Sequence, residues 1–160
     1  NHRGTENTEG LKELTHIDAK GKAKMVDVSA KPVQQRAATA RGEIRMTKET
    51  LRLIRRDKIA KGNVLATARI AGIQAAKRTG DLIPMCHSLP INHCEVDFEF
   101  PKTGNAIVIT ATAKVTAQTG VEMEALTAVN LAALTIYDMC KAVDKKMRIT
   151  NVKLVSKTKQ

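Results

Sequence analysis

Residues 120–145 read GVEMEALTAVNLAALTIYDMCKAVDK. This is the longest run in the chain with helical spacing and almost no polar relief, and it constrains the fold more than any other segment. Advancing about 100° per residue, Thr127, Asn130, Thr135, Asp138, Lys141 and Lys145 fall into one narrow stripe, while Ala, Leu, Val, Ile and Met fill the remaining circumference. The spacing predicts a single long helix, and a helix this apolar must be covered nearly all round. Asp138 and Lys141, three apart on the stripe, then form an acid and a base on the only wet line of a buried element. Glu122 and Glu124 stand at its N-terminal end, where the helix dipole tolerates carboxylates. An ordinary core helix with a surface ion pair has the same pattern, so the pattern alone leaves both readings open.

The other elements follow from alternation and caps. In RAATARGEIRM, within residues 33–46, Ala38, Ala40, Ile44 and Met46 oppose Arg41, Glu43 and Arg45, which predicts a strand. Thr47 is placed to cap a short helix through Arg56. Asn63 is placed to cap a second helix to about Arg78, with Gly80 in the stop position. Residues 91–100 alternate Val96, Phe98 and Phe100 with Glu95, Asp97 and Glu99. A hairpin connection over 101–105 leads to a strand over 106–115, and a last strand is expected over 148–155. Residues 15–31 show no period and are expected to be an ordered or semi-ordered lead-in. Strand, helix in two pieces, strand, strand, helix, strand is the order of a ferredoxin-like split βαβ, an α+β fold with helices packed on one face of a four-stranded antiparallel sheet. The two main helices are more apolar than one sheet can cover, which predicts a homo-oligomer.

At 160 residues the chain is expected to be one domain with a proper core. Residues 1–13, polar and without an apolar run, are expected to be a disordered lead, and 14–160 a single catalytic domain. No window suggests a membrane span. Three cysteines at uneven spacing point to a reducing compartment, with the cytoplasm as the default. The net charge of +11 predicts an anionic partner. With one Tyr, two Phe and no Trp, the chain lacks stacking platforms for nucleic acid, so a phosphate-bearing small molecule is favoured.

Four local features bear chemistry. Cys86-His87 with His93-Cys94, in CHSLPINHC, invites a zinc reading, but adjacent Cys and His rarely both reach one ion, and no C-x-x-C is present. An ordinary loop with strand-entry residues and hydrogen bonding by Cys86 and His87 within a site are the alternatives, and Cys86 has no visible partner as a nucleophile. Lys61-Gly62-Asn63 before a helix start would suit an anion. Arg36, Arg69, Lys77, Arg78 and Lys157 form a scattered basic set. Asp138, Lys141, Glu122 and Glu124 on the long helix complete the set. A basic nucleic-acid binder and a structural metal-binding oligomer stay open at this level.

MVDVSAK at 25–31, ATARIAGIQAAKRT at 66–79, DLIPMCH at 81–87, and TGVEMEALTA with AALTIYDMCKAV through Val143 closely resemble the cyclic pyranopterin monophosphate synthases, the MoaC-type enzymes of molybdenum-cofactor biosynthesis. The resemblance spans roughly residues 14–157. It implies a lyase that converts 3′,8-cyclo-7,8-dihydroguanosine 5′-triphosphate into cyclic pyranopterin monophosphate with release of diphosphate. It also implies a ferredoxin-like fold, a hexamer built as a trimer of dimers, and sites at subunit interfaces. Carried over by motif, Asp138, Lys141 and Lys61 look catalytic. Met85, Cys86, His87, Glu122, Met123 and Glu124 look like substrate contacts, and Arg36, Arg69, Lys77, Lys157 and His87 are candidates to neutralise the departing diphosphate. No cofactor is expected beyond Mg on the substrate triphosphate, with no protein metal site, no nucleic acid and no membrane. The pattern departs at Gly80 and Ser88, where many members carry Trp and Pro.

Overall fold

The computed structural model describes residues 15–160, so the expected disordered lead lies outside the described residues. Strand β1 (Gln34–Arg45) is followed by helices α1 (Lys48–Arg55), α2 (Val64–Lys77) and the single turn α3 (Thr79–Leu82). Strands β2 (His93–Glu99) and β3 (Ala106–Ala117), the long helix α4 (Glu122–Cys140) and strand β4 (Arg148–Lys159) complete the chain. The sheet order is β2-β3-β1-β4, with every neighbouring pair antiparallel. This is the expected split βαβ arrangement, an α+β fold. Among the described residues, no helix is long and apolar enough to cross a membrane.

Alternation decides which sheet face is covered. Ala38, Ala40 and Ile44 of β1 and Ile107, Ile109, Ala111 and Ala113 of β3 are buried against Ala125, Ala128, Val129, Ala132 and Ile136 of α4. Small residues let the layers close up. A Cβ on Gly42 would lie 2.7 Å from Val129 Cγ1, and one on Gly72 would lie 2.9 Å from the Ala128 carbonyl oxygen, so α4 rides directly on β1 and on α2. Asn63 caps α2 by accepting from the Ala66 N–H (2.8 Å), and Thr47 caps α1 through the Thr50 N–H (3.2 Å). Both caps fall at the expected residues.

Beyond shifts of one or two residues at strand ends, three features differ from the sequence reading. Helix α4 stops at Cys140 rather than Lys145, because Asp144 is drawn across to the start of α1. Its carboxylate, 5% exposed, accepts from the Thr47 N–H (2.9 Å), the Thr50 hydroxyl (3.0 Å) and the Lys146 N–H (3.0 Å). Strand β4 runs past Val155 to Lys159. Its polar end, SKTK, shows no apolar alternation yet pairs with β1 from Thr39 to Arg36. Gly80 is not a helix stop; it lies in α3, packed so closely that a Cβ would sit 2.6 Å from Ser88 Oγ. The two positions that depart from the family pattern therefore share one contact.

Asp144 ties the end of α4 to the start of α1, which leads into the Lys61 loop. Burial pushes its proton affinity up, but hydrogen bonds from the Thr47 and Lys146 N–H groups and from Thr50 outweigh it, leaving the carboxyl below its ordinary range. A depressed folded-state pKa stabilises the fold above the unfolded value, and that contribution disappears as pH falls through the folded one. Asp144→Ala is expected to cost about 2–3 kcal/mol at neutral pH, since it strands buried donors. Chemical unfolding of both proteins from pH 7 downwards checks this, with the gap closing as the wild-type carboxyl titrates.

Candidate active site

The proposed site residues gather into two groups at opposite ends of α4. At the C-terminal end, Asp138 accepts from two lysines. Lys141 Nζ lies 2.9 Å from Asp138 Oδ1, and Lys61 Nζ lies 3.3 Å from Oδ2 while also donating to the Asp138 carbonyl (3.1 Å). Lys61 reaches this position because Gly62 adopts φ +107°, a turn that non-glycine residues resist, immediately before the α2 cap. The Lys141 bond, then the Lys61 bond, holds the Asp138 carboxyl below its ordinary range, and Asp138 in turn raises Lys141. All three side chains are about half exposed, so in one chain this triad faces solvent.

The second group surrounds the start of α4. Met85, Cys86 and His87 from the loop after α3 and Glu122, Met123 and Glu124 from the first turn of α4 line a cavity of about 310 Å³. The lead-in closes its other side through Val26 and Val28. His87 Nε2 lies 2.8 Å from the Val26 carbonyl, which can only accept, so Nε2 carries the proton. Glu124 is 4% exposed, and desolvation, reinforced by neighbouring Glu122, raises its pKa. Burial, then Glu124, also raises the Cys86 thiol, which disfavours its thiolate form. Arg36 and Lys157 stand just beyond. Lys157 Nζ is 3.3 Å from Glu122, and Arg36 is braced by the carbonyls of Ala117 and Gln118.

These groups do not meet within one chain. Fourteen residues of helix separate Glu124 from Asp138, or about 21 Å at 1.5 Å per residue. Lys61 joins Asp138 and Lys141 as the motifs implied, whereas His87 belongs to the distant end.

Other sequence expectations need correction. Arg69 donates through Nε to the Val96 carbonyl (2.8 Å) and lies over the Phe98 ring, and Lys77 acts on Cys94; neither reaches either group. The stripe on α4 is not purely polar, since Thr127 is 5% exposed and Leu134 52%. His93 pairs with Glu95 at 3.5 Å, while burial pushes the Cys94 thiol up to about 11, so neither joins Cys86 and His87. Among the described residues, no three His, Cys, Asp or Glu side chains come together to hold a metal. Sequence reasoning missed Val26, Val28 and Lys31 as cavity walls. No hydrophobic period marks them, and only the resemblance carried by MVDVSAK pointed to this stretch.

Two lysines on a carboxylate at one end of a buried helix, and a carboxylate-lined cavity with adjoining cations at the other, are groups suited to proton transfer and to binding an anionic small molecule. The particular family follows from comparison. A sequence model of the MoaC family matches residues 25–160, and the chain belongs to that family. It is 56% identical over 147 residues to the cyclic pyranopterin monophosphate synthase of Parvibaculum lavamentivorans, covering 92% of each chain. It is 57% identical over 150 residues to the synthase of Chloroflexus aurantiacus, covering 94% of this chain and 92% of the relative. The synthase of Desulfitobacterium hafniense is 58% identical over 146 residues, covering 91% and 89%.

Proposed function

We propose that this chain is a cyclic pyranopterin monophosphate synthase of molybdenum-cofactor biosynthesis, acting on 3′,8-cyclo-7,8-dihydroguanosine 5′-triphosphate and releasing diphosphate. The observation that carries the reading is the convergence of Lys61 and Lys141 on Asp138, since residues 77 apart in sequence meet at the motif that most resembles the family. The substrate's purine-derived ring must open and reclose as a pterin, which calls for proton transfers to and from nitrogen and carbon. A positioned acid or base contributes roughly 10²- to 10⁴-fold to such a step. In this reading Lys141, held protonated by Asp138, delivers a proton, and Lys61 takes part in the complementary transfer. Glu124, Cys86, His87, Met85 and Met123 hold the ring. For the cyclic phosphate, a sugar hydroxyl oxygen bonds to the α-phosphorus, the bond from that phosphorus to diphosphate breaks, and the hydroxyl proton passes to a base. Cations at Arg36 and Lys157 offset charge on the leaving oxygens. The protein needs no cofactor of its own here; any Mg ion travels with the triphosphate.

The site is completed between subunits of a homo-hexamer, a trimer of dimers. Support comes from the roughly 21 Å between the two groups and from exposed Ile70 (58%) and Leu134 (52%) on the helix layer. Two α4 helices side by side and antiparallel about a twofold axis would set the Asp138 end of each against the Glu124 end of the other, twice over. Incubating the purified chain with the cyclised GTP intermediate tests the activity. Stoichiometric diphosphate and, after oxidation, a fluorescent pterin are expected, and their absence from a correctly assembled oligomer would remove the assignment.

A further inference from the structure

One end of the sheet carries charges that the chemistry described above does not use. Arg45, the last residue of β1, and Arg148, the first of β4, lie directly opposite each other in the register. Like charges at facing positions destabilise a strand pair. Lys146 adds a third cation, and the three line a cavity of about 450 Å³ together with Thr47, Asn105 and Asp144. This cavity shares no residue with the Asp138 group or with the cavity around Glu124.

The nearby carboxylates do not balance these charges. Asp144 is committed to the Thr47 N–H, the Thr50 hydroxyl and the Lys146 N–H. Glu43 meets Arg45 Nη1 only at 3.4 Å and also accepts from Asn151 Nδ2 (3.2 Å), so it keeps a partner when Arg45 turns away. Among the described residues, Lys146 and Arg148 form no ion pair at all. On the hairpin side, a Cβ on Gly104 would lie 3.7 Å from Arg45 Nη2, and the glycine leaves room beside that nitrogen.

We propose that this cavity is an oxyanion site, in which a phosphate-class dianion bridges Arg45 and Arg148 with Lys146 as the third contact. The proposal stands apart from the activity assigned above. A tetrahedral oxyanion offers acceptors to several cations at once, and the guanidinium fork matches two of its oxygens at a time. The bridge turns a repelling cross-strand pair into a joined one. It also fixes the turn from Asp144 to Arg148, which begins three residues beyond Lys141 and sets where β4 starts.

Thermal unfolding of the purified full chain in inorganic phosphate, against sodium chloride at matched ionic strength, tests the proposal. Screening relieves the arginine repulsion alike in both salts, whereas a bound dianion raises Tm further by mass action. Arg148→Gln and Lys146→Ala are each expected to need about ten-fold more phosphate for the same rise in Tm, the scale of a lost charged hydrogen bond. Without phosphate, Arg148→Gln is expected to unfold no earlier than wild type, because it removes the repulsion, so its weaker response is not a folding defect. Lys157→Ala, which thins the basic cavity beside α4, is expected to retain the response. Repeating the titration with diphosphate identifies the source of the anion, since the ion that acts at the lower concentration is the one the site prefers. A phosphate effect no larger than that of chloride, or one that Lys157→Ala abolishes and Arg148→Gln retains, overturns the proposal.

Discussion

Lys141→Ala is expected to lower turnover by about 10²- to 10⁴-fold, the contribution of one positioned proton-transfer group, and to leave the assembly state unchanged. The side chain is 57% exposed and among the described residues its ion pair is to Asp138 alone, so little of the described fold depends on it. Lys141→Arg separates charge from proton transfer. Guanidinium keeps the cation beside Asp138 but does not give up its proton near neutral pH, so a purely electrostatic role predicts near-normal turnover and a proton-transfer role predicts a loss close to that of alanine. The pH profile supplies a further check. Hydrogen bonding to Asp138 raises the Lys141 pKa, so an ammonium acting as the acid stays competent through neutral pH and fails only on the alkaline side. Asp138→Asn removes that cause, the Lys141 pKa falls, and the alkaline limb of the kcat profile moves to lower pH. Steady-state kinetics of the three variants, with sedimentation to confirm assembly, decides the matter. Near-wild-type rates for Lys141→Ala would remove Lys141 from the chemistry.

The strands of this fold are legible wherever one face is buried, because Ala38, Ala40 and Ile44 or Ile107, Ile109 and Ala111 must then recur every second residue. The polar end of β4 escapes that logic. Its backbone pairs with β1 while its lysines remain exposed, so no periodicity marks it. The end of α4 was illegible for a different reason. Residues 141–145 have helical composition, and only the long-range bonds from Thr47 and Thr50 to Asp144 reveal why the chain leaves the helix. The lead-in gave little sign of its place as a wall because Val26, Val28 and Lys31 follow no period; their backbone is anchored elsewhere, as where Gln118 donates to the Lys31 carbonyl (3.2 Å). The two clusters at the ends of α4 were legible as residues through their motifs. Their division was also implicit, since a continuous helix cannot bring residues 124 and 138 together. The length of the rod keeps His87, beside its N-terminal end, away from Asp138, Lys141 and Lys61 at the other end.

That division yields the other large effect, a recovery of activity from two inactive proteins. On the proposed reading Lys141→Ala is expected to disable the C-terminal group and His87→Ala the N-terminal one, so each variant alone leaves every site with one defective half. If a complete site combines the Asp138 end of one chain with the His87 end of another, a mixed pair holds one site with both defects and one with neither. Random mixing makes about half of the pairs mixed, and half of the sites in those are intact, which gives about one quarter of wild-type activity from closed twofold interfaces. The variants must be dissociated and reassembled together, or co-expressed with different tags and purified through both, because simple mixing of stable oligomers exchanges no subunits. Dual-tag purification enriches mixed assemblies and should raise the specific activity above the random value. A site built within one chain gives no recovery at any mixing ratio, because no single polypeptide then carries both working halves. The measurement therefore separates a shared site from a solitary one through a gain of function, which impaired folding of either variant cannot mimic.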